Sequence, residues 1–177
     1  KPGLEVEEEY LRNLVSKANI VEAKEKALNW LSLRDYSFFE LMQRLSRFYD
    51  ATTSHAVVEK MVDIGLIDDC GYAEKYARDL LERRGLSLKR ARFEMHQKGL
   101  ASDLVDEILA GYEDTEVDRA TAILEKKYQR KLSGPNGRQN VTAALARMGF
   151  RLEDIRTAMS QFLVWQTDKA DEFQDIG

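Results

Sequence analysis

The chain is short of several residue types at once, and each shortage excludes something. A single cysteine, Cys70, rules out an intramolecular disulfide and a cysteine-built zinc cluster. Two histidines, His55 and His96, leave little for metal binding or acid–base work. Proline occurs only at Pro2 and Pro135, so the chain from Gly3 to Gly134 has none. Together with abundant leucine and alanine, this argues for helices and against a sandwich or barrel, which needs β-branched strands and punctuated turns. Long apolar runs are missing too. Phe162-Leu163-Val164-Trp165 is among the longest, far short of the roughly 20 residues that cross a bilayer. Nothing resembles a signal peptide, and the expected location is the cytoplasm. The chain begins at Lys1 rather than Met and reads as a fragment or a processed chain.

What is present is charge. Of 177 residues, 33% are charged and 44% hydrophobic, which gives a thin core under a heavily solvated surface. The net charge of −4 averages over opposed blocks. Residues 81–100 hold Arg83, Arg84, Lys89, Arg90, Arg92 and Lys98 against Glu82 and Glu94. Residues 101–118 carry seven acids and no base. Residues 119–151 return to eight bases against Glu125 alone, and the segment from Leu152 onward is acidic again. Any one such run fits a solvated helix face, but folding could also gather the basic segments onto one surface.

The chain repeats itself at a shift of 50 residues. Met95, Gly99, Leu100 and Val105 match Leu145, Gly149, Phe150 and Ile155. Shifted backward, Ala73, Ala77, Leu81, Ser87 and Met95 match Ala23, Ala27, Leu31, Ser37 and Leu45. Three repeats result, over residues 20–66, 67–114 and 115–166, with a helical extension at 1–19 and an acidic tail at 167–177. The third carries an extra loop, Ser133-Gly134-Pro135-Asn136-Gly137. Each repeat reads as three helices. Asn19-x-x-Glu22 and Ser37-x-x-Glu40 fit helix starts, and Thr53 or Ser54 would open the next helix, closed by Gly65. In the second repeat Asp68 or Asp69, Ser87 and Ser102 open the helices, and Gly85 ends the first. Gly99-Leu100 and Gly149-Phe150 fit Schellman endings, a left-handed glycine followed by an apolar residue. The expected fold is all-α, with three tandem three-helix repeats. None is large enough to bury much apolar surface alone, so neighbours should pack or be tethered in series.

Met95, Gly99 and Val105 also have the spacing of a helix-turn-helix, as do Leu145, Gly149 and Ile155. The helices that would enter the major groove begin Ser102-Asp103 and Leu152-Glu153-Asp154. Carboxylates there repel a duplex, which argues against groove reading.

No catalytic set emerges, and the chain is not expected to be an enzyme or to need a cofactor. Asp68-Asp69 lacks a third ligand at metal-like spacing and suits helix capping. Cys70 sits by a helix start with no nearby histidine and reads as structural or incidental. Gly134-Pro135-Asn136-Gly137 lacks the Gly-Lys-Ser ending of a phosphate loop. More informative is the helix from Leu88 to Lys98, where Leu88, Ala91 and Met95 form an apolar stripe. Lys89, Arg90, Phe93 and Gln97 fall opposite, a ring between cations. That arrangement fits a contact hot spot, and equally fits Phe93 packing on a neighbouring repeat. Arg83 and Arg84, and in the third repeat Lys126, Lys127, Arg130 and Lys131, end helices, where cations also suit the helix dipole.

The run Ala23-x3-Ala27-Leu28-x-Trp30-Leu31-Ser32-x-Arg34-x2-Ser37-x2-Glu40-Leu41 resembles the opening of RecX proteins. Gly65-Leu66-Ile67-Asp68-Asp69-x2-Tyr72-Ala73-x2-Tyr76 resembles the family's joint between first and second repeats. Gly85-x4-Arg90-x3-Glu94-Met95-x2-Lys98-Gly99-Leu100 resembles its middle signature, with Met95 where leucine is usual. Lys126-Lys127-Tyr128 and Leu145-Ala146-Arg147-Met148-Gly149-Phe150 resemble the third repeat, so the resemblance spans residues 17–162. It implies three trihelical repeats in a curved, elongated molecule. It further implies a monomeric regulator that lies in the groove of the RecA–DNA filament and inhibits filament growth, ATP hydrolysis and strand exchange. On this resemblance the partner-binding residues are Arg83, Arg84, Lys89, Arg90, Arg92, Phe93, Lys98, Lys126, Lys127, Arg130 and Lys131. Weak DNA binding, known for some members, is implied as well, although this chain is acidic where members are often basic. The other reading of the residues is a nucleic-acid-binding helical-repeat protein with no recombinase partner, and a third is a protein–protein scaffold. Tight, steeply salt-dependent binding to naked DNA would favour the nucleic-acid reading.

Overall fold

A chain without proline or glycine between Leu4 and Leu31 has nothing to interrupt a helix there, and none is interrupted. The computed structural model describes residues 2–112 and 115–174. Helix α1 runs unbroken over Pro2–Leu31. This corrects the expected helix start at Asn19, which lies inside α1; the extension and the first helix of the first repeat are one element. Two helices follow, α2 (Phe38–Leu45) and α3 (Ala51–Asp63). Ser37 caps α2 as expected, its hydroxyl accepting the Glu40 N–H at 3.1 Å. The cap of α3 is Asp50, not Thr53 or Ser54. Its carboxylate accepts both the N–H and the hydroxyl of Thr53, at 2.9 and 2.8 Å. A charged acceptor at a helix N-terminus is the better partner for orphan amides, so the helix starts three residues early.

The next elements are α4 (Asp69–Arg78), α5 (Leu88–Gln97) and α6 (Ser102–Ala110). Helix α4 ends in a π-helical turn, Asp79–Arg83, in which the Arg84 N–H reaches the Asp79 carbonyl. Asp68 opens α4, accepting from Cys70 N–H and Tyr72 N–H. Ser87 opens α5, accepting the Arg90 N–H at 3.1 Å. Then come α7 (Glu116–Ile123), a second π-helical turn over Leu124–Tyr128, the short α8 (Gln129–Leu132), α9 (Gly137–Arg147) and α10 (Leu152–Gln174). The acidic segment expected as a tail begins as the last turns of α10; residues 175–177 lie outside the described residues, as do 113 and 114 at the expected boundary before the third repeat. No strand occurs among the described residues, and the all-α expectation holds.

The chain folds into two compact units. The first comprises the residues up to Glu74 together with His96–Ala101; the second comprises Lys75–Met95 and everything from Ser102. In the first, α1, α2 and α3 close on Ala23, Ala27, Leu41, Leu45, Val57 and Val58, all fully buried. In the second, α7, α9 and α10 enclose Ala120, Leu124, Val141, Leu145, Ile155 and Phe162. The 50-residue register shows in burial: Ala23, Ala27 and Leu45 are fully buried, and so are Ala73, Ala77 and Met95.

Each unit contains the same joint. In the first, the Ser37 hydroxyl donates to the Lys98 carbonyl at 2.6 Å, 61 residues on. In the second, the Ser87 N–H donates to the Met148 carbonyl at 3.1 Å, at the same interval. Beside each lies a carboxylate on the first amide of a helix: Phe38 N–H donates to Asp69 at 2.8 Å, and Leu88 N–H to Glu116 at 2.7 Å. Burial raises the Glu116 carboxyl above its ordinary range, against the lowering by the Leu88 amide and by Arg119. The residue after each carbonyl is a left-handed glycine, Gly99 with φ +73° and Gly149 with φ +99°. A Cβ at Gly99 would collide with the Phe39 side chain, and one at Gly149 would lie 2.6 Å from both Arg90 Cβ and Ser87 Oγ.

Helix α7 carries a reciprocal cap: Thr115 Oγ1 accepts the Asp118 N–H, and the Asp118 carboxylate accepts the Thr115 N–H. Thr115→Ala is expected to cost about 1 kcal/mol, read from the urea midpoint at unchanged slope.

Candidate partner-binding site

Two features bring the sequence-predicted cations together in the second compact unit: the π-helical turns and the start of α5. A π turn inserts one residue into a helix, shifting the side chains after it around the axis. Arg83 lies in the first such turn, and Lys126 and Lys127 in the second. The Lys127 ammonium donates to the Arg83 backbone carbonyl at 3.2 Å, which ties the two π-helical turns together across 44 residues of chain. Lys126 and Lys127 line a groove of about 400 Å³ with Gly85, Ile123, Glu82, Asp118 and Arg119. Arg83 pairs with Asp79, whose carboxyl that contact holds below its ordinary range, with Arg84 adding to the effect.

The second cluster gathers where α5 begins. Lys89 and Arg92 line a groove with Leu88, Glu116, Gly149, Arg151 and Asp154, about 350 Å³ in volume. Arg151 was not singled out from the sequence, because nothing local marks one arginine after Gly149-Phe150. The joint that seats Gly149 against α5 is what delivers it.

Several of the expected contacts are engaged within the chain. Arg90 bonds Glu94 at 2.6 Å and lies 5.2 Å from the centre of the Phe93 ring. Phe93 itself is 51% exposed, its ring on the solvent side of α5. Arg92 reaches Asp106 at 2.9 Å, so part of the acidic block folds back to neutralise the basic one. Lys98 is more committed: its ammonium meets Glu40 at 2.7 Å inside the first unit. Glu40 also accepts from Arg34 at 3.2 Å and from the Tyr72 hydroxyl at 3.0 Å. Burial works against this carboxylate, but the bonds from Arg34, Lys98 and Tyr72 outweigh it and bring its pKa down to about 2. Lys131 lies 5.4 Å from the Tyr128 ring centre. Lys89, Lys126 and Arg130 are exposed and have no ion-pair partner among the described residues. These three offer undiminished charge to an anionic partner.

Among the described residues no group of three histidine, cysteine or carboxylate side chains could hold a metal ion. Cys70 is exposed, and no described helix is long and apolar enough to cross a membrane.

Comparison with known proteins follows the same lines. Residues 68–109 match the family description "RecX, second three-helix domain". The chain is 33% identical over 141 residues to the regulatory protein RecX of Halorhodospira halophila, covering 76% of this chain and 84% of that one. It is 31% identical over 134 residues to that of Mycobacterium avium, covering 73% and 78%. Among solved structures, RecX from Lactobacillus salivarius superposes with a TM-score of 0.65 at 23% identity, over 84% of this chain and 99% of that one. A further RecX crystal structure gives 0.66 at 19% identity, over 86% and 77%. Fold and relatives together define an all-helical protein whose relatives are named as regulators rather than enzymes. The chain belongs to the RecX family.

Proposed function

We propose that this chain regulates the RecA recombinase by lying in the groove of the RecA–DNA filament, where it inhibits filament growth, ATP hydrolysis and strand exchange. Family membership is the observation that carries this reading. The basic clusters support it: Lys126 and Lys127 on one groove, with Lys127 bonded to the Arg83 carbonyl, and Lys89, Arg92 and Arg151 around another. Arg84, Arg90, Phe93, Arg130 and Lys131 extend the contact surface, while Lys98 serves through its bond to Glu40. The chain acts as a monomer in the cytoplasm, without a cofactor and without turnover, and modulates recombination and repair. Its architecture is three repeats over residues 20–66, 67–114 and 115–166, in series, so that successive repeats meet successive filament subunits.

The test adds the protein to RecA on single-stranded DNA and follows ATP hydrolysis. Stoichiometric protein should slow hydrolysis; an unchanged rate at excess protein removes the reading. Charge reversal at two exposed cations, Lys89→Glu with Lys126→Glu, should raise the half-inhibitory concentration about tenfold while leaving far-UV circular dichroism unchanged.

A further inference from the structure

Helix α1 carries apolar side chains on two sides, and its own unit uses only one of them. Ala23 and Ala27 are fully buried in the core that α1 forms with α2 and α3. Leu14, Val21 and Leu28 are 45%, 57% and 44% exposed. At about 100° per residue they lie on the side of the helix turned away from Ala23 and Ala27. Ala18 and Glu25, both exposed, fall in the same stripe. Leu14, Val21 and Leu28 follow one another at intervals of seven residues, and so do Ala18 and Glu25. That is the spacing of a coiled-coil seam, with Ala18 and Glu25 at a and the other three at d. Tyr10 and Val15 flank the stripe and are also more than half exposed.

Such a seam takes a second helix of the same spacing, and the flanking charges say which helix. In a parallel pair each g position faces the e position five residues further along the partner. Lys17 at g then meets Glu22 at e of a second copy, and Tyr10 meets Val15. Each contact occurs twice by the two-fold symmetry. Glu22 bonds Lys26 of its own chain at 2.9 Å, but its side chain stays exposed. An antiparallel pair would set g against g and bring lysines onto lysines, since Lys17 and Lys24 both stand at g. A bilayer is a poorer occupant, because four glutamates fall between residues 5 and 9 and an anionic headgroup repels them. Helices α2 and α3 pack on the other side of α1 and leave the seam open.

We propose that two copies of this chain pair through α1 as a parallel coiled coil, with Leu14, Val21 and Leu28 in the seam and Lys17 of each copy bonded to Glu22 of the other. The seam is short, and Glu25 sets two carboxylates face to face within it. The pairing is therefore weak, and the dilute chain remains a monomer. The seam shares no residue with the cations of the second unit.

Sedimentation equilibrium of the full chain tests this. Between about 5 and about 500 µM the mass should rise from that of one copy toward that of two. Val21→Asp should hold the mass at one copy across that range with far-UV circular dichroism unchanged, because the position is exposed. Glu25→Leu removes the facing carboxylates and should lower the dissociation constant about tenfold. Leu33→Ser, at an exposed position outside the stripe, should pair like the parent. A parallel seam sets residue 18 against itself, so Ala18→Cys in a chain carrying Cys70→Ser should crosslink to a dimer on oxidation. The proposal is overturned if the parent shows no rise in mass, if Val21→Asp pairs like the parent, or if Glu25→Leu does not tighten the pairing. It is equally overturned if Ala18→Cys gives no crosslinked dimer, which would leave the two helices antiparallel or the seam unused.

Discussion

Glu40→Gln is expected to destabilise the first unit by about 2 kcal/mol at neutral pH, with the loss disappearing in acid. The carboxylate is 15% exposed and serves three donors at once: Arg34, Lys98 and Tyr72. Glutamine keeps the shape but brings an amide N–H2 toward two cations, so at least one charge-assisted bond is lost. Linkage fixes the pH dependence. The folded-state pKa of about 2 lies below the ordinary 4.5, so the stabilisation is fully present above about pH 5 and is lost as pH falls through 2. The full shift would correspond to about 3 kcal/mol, and solvent around the half-exposed Arg34 reduces it to about 2. Urea unfolding of both proteins from pH 7 to pH 2.5 checks this. Most of the gap should be gone by pH 2.5, the rest closing as pH falls through 2; a pH-independent gap would mean that packing, not charge, holds the cluster.

Gly149→Ala should cost more, about 3 kcal/mol. An L-residue in the left-handed region costs roughly 1–2 kcal/mol, and overpacking adds about 1–3. At Gly149 both apply, because the new methyl would press on Arg90 Cβ and Ser87 Oγ, each 2.6 Å away. Gly65 is the internal control: its φ is +72°, but a Cβ there meets nothing within 4 Å. Gly65→Ala should therefore show only the backbone cost. The difference between the two urea midpoints measures the joint itself, and equal losses would show that the joint tolerates an extra methyl.

Much of the helical frame was legible in the residues. Ser37 and Ser87 announce helix starts because capping is a local matter of one oxygen and the amides just ahead of it. Gly99 and Gly149 announce helix ends because only glycine takes the required φ cheaply. Asn19 misled for the complementary reason: a capping residue marks a start only where the preceding chain cannot stay helical, and residues 4–18 can. Asp50 was hidden by the more conspicuous Thr53 and Ser54. The site was less legible than the fold. Lys126, Lys127 and Arg83 could be picked as cations, but the bond from Lys127 to the Arg83 carbonyl joins two π turns that no sequence period announces. Arg151 drew no notice, since its significance lies in the groove the tertiary structure puts beside it. Conversely, Lys98 looked like part of a basic surface only while Glu40, 58 residues away in the chain, was out of view.

The joint that links Ser37 to the Lys98 carbonyl has a consequence for what counts as a module here. The 50-residue period of the sequence would put residues 96–101 in a second repeat; by folding, they belong to the first compact unit. The period of the sequence and the boundary of the compact unit are thus out of phase. A cut at residue 66 would not release a whole module but one missing its last piece.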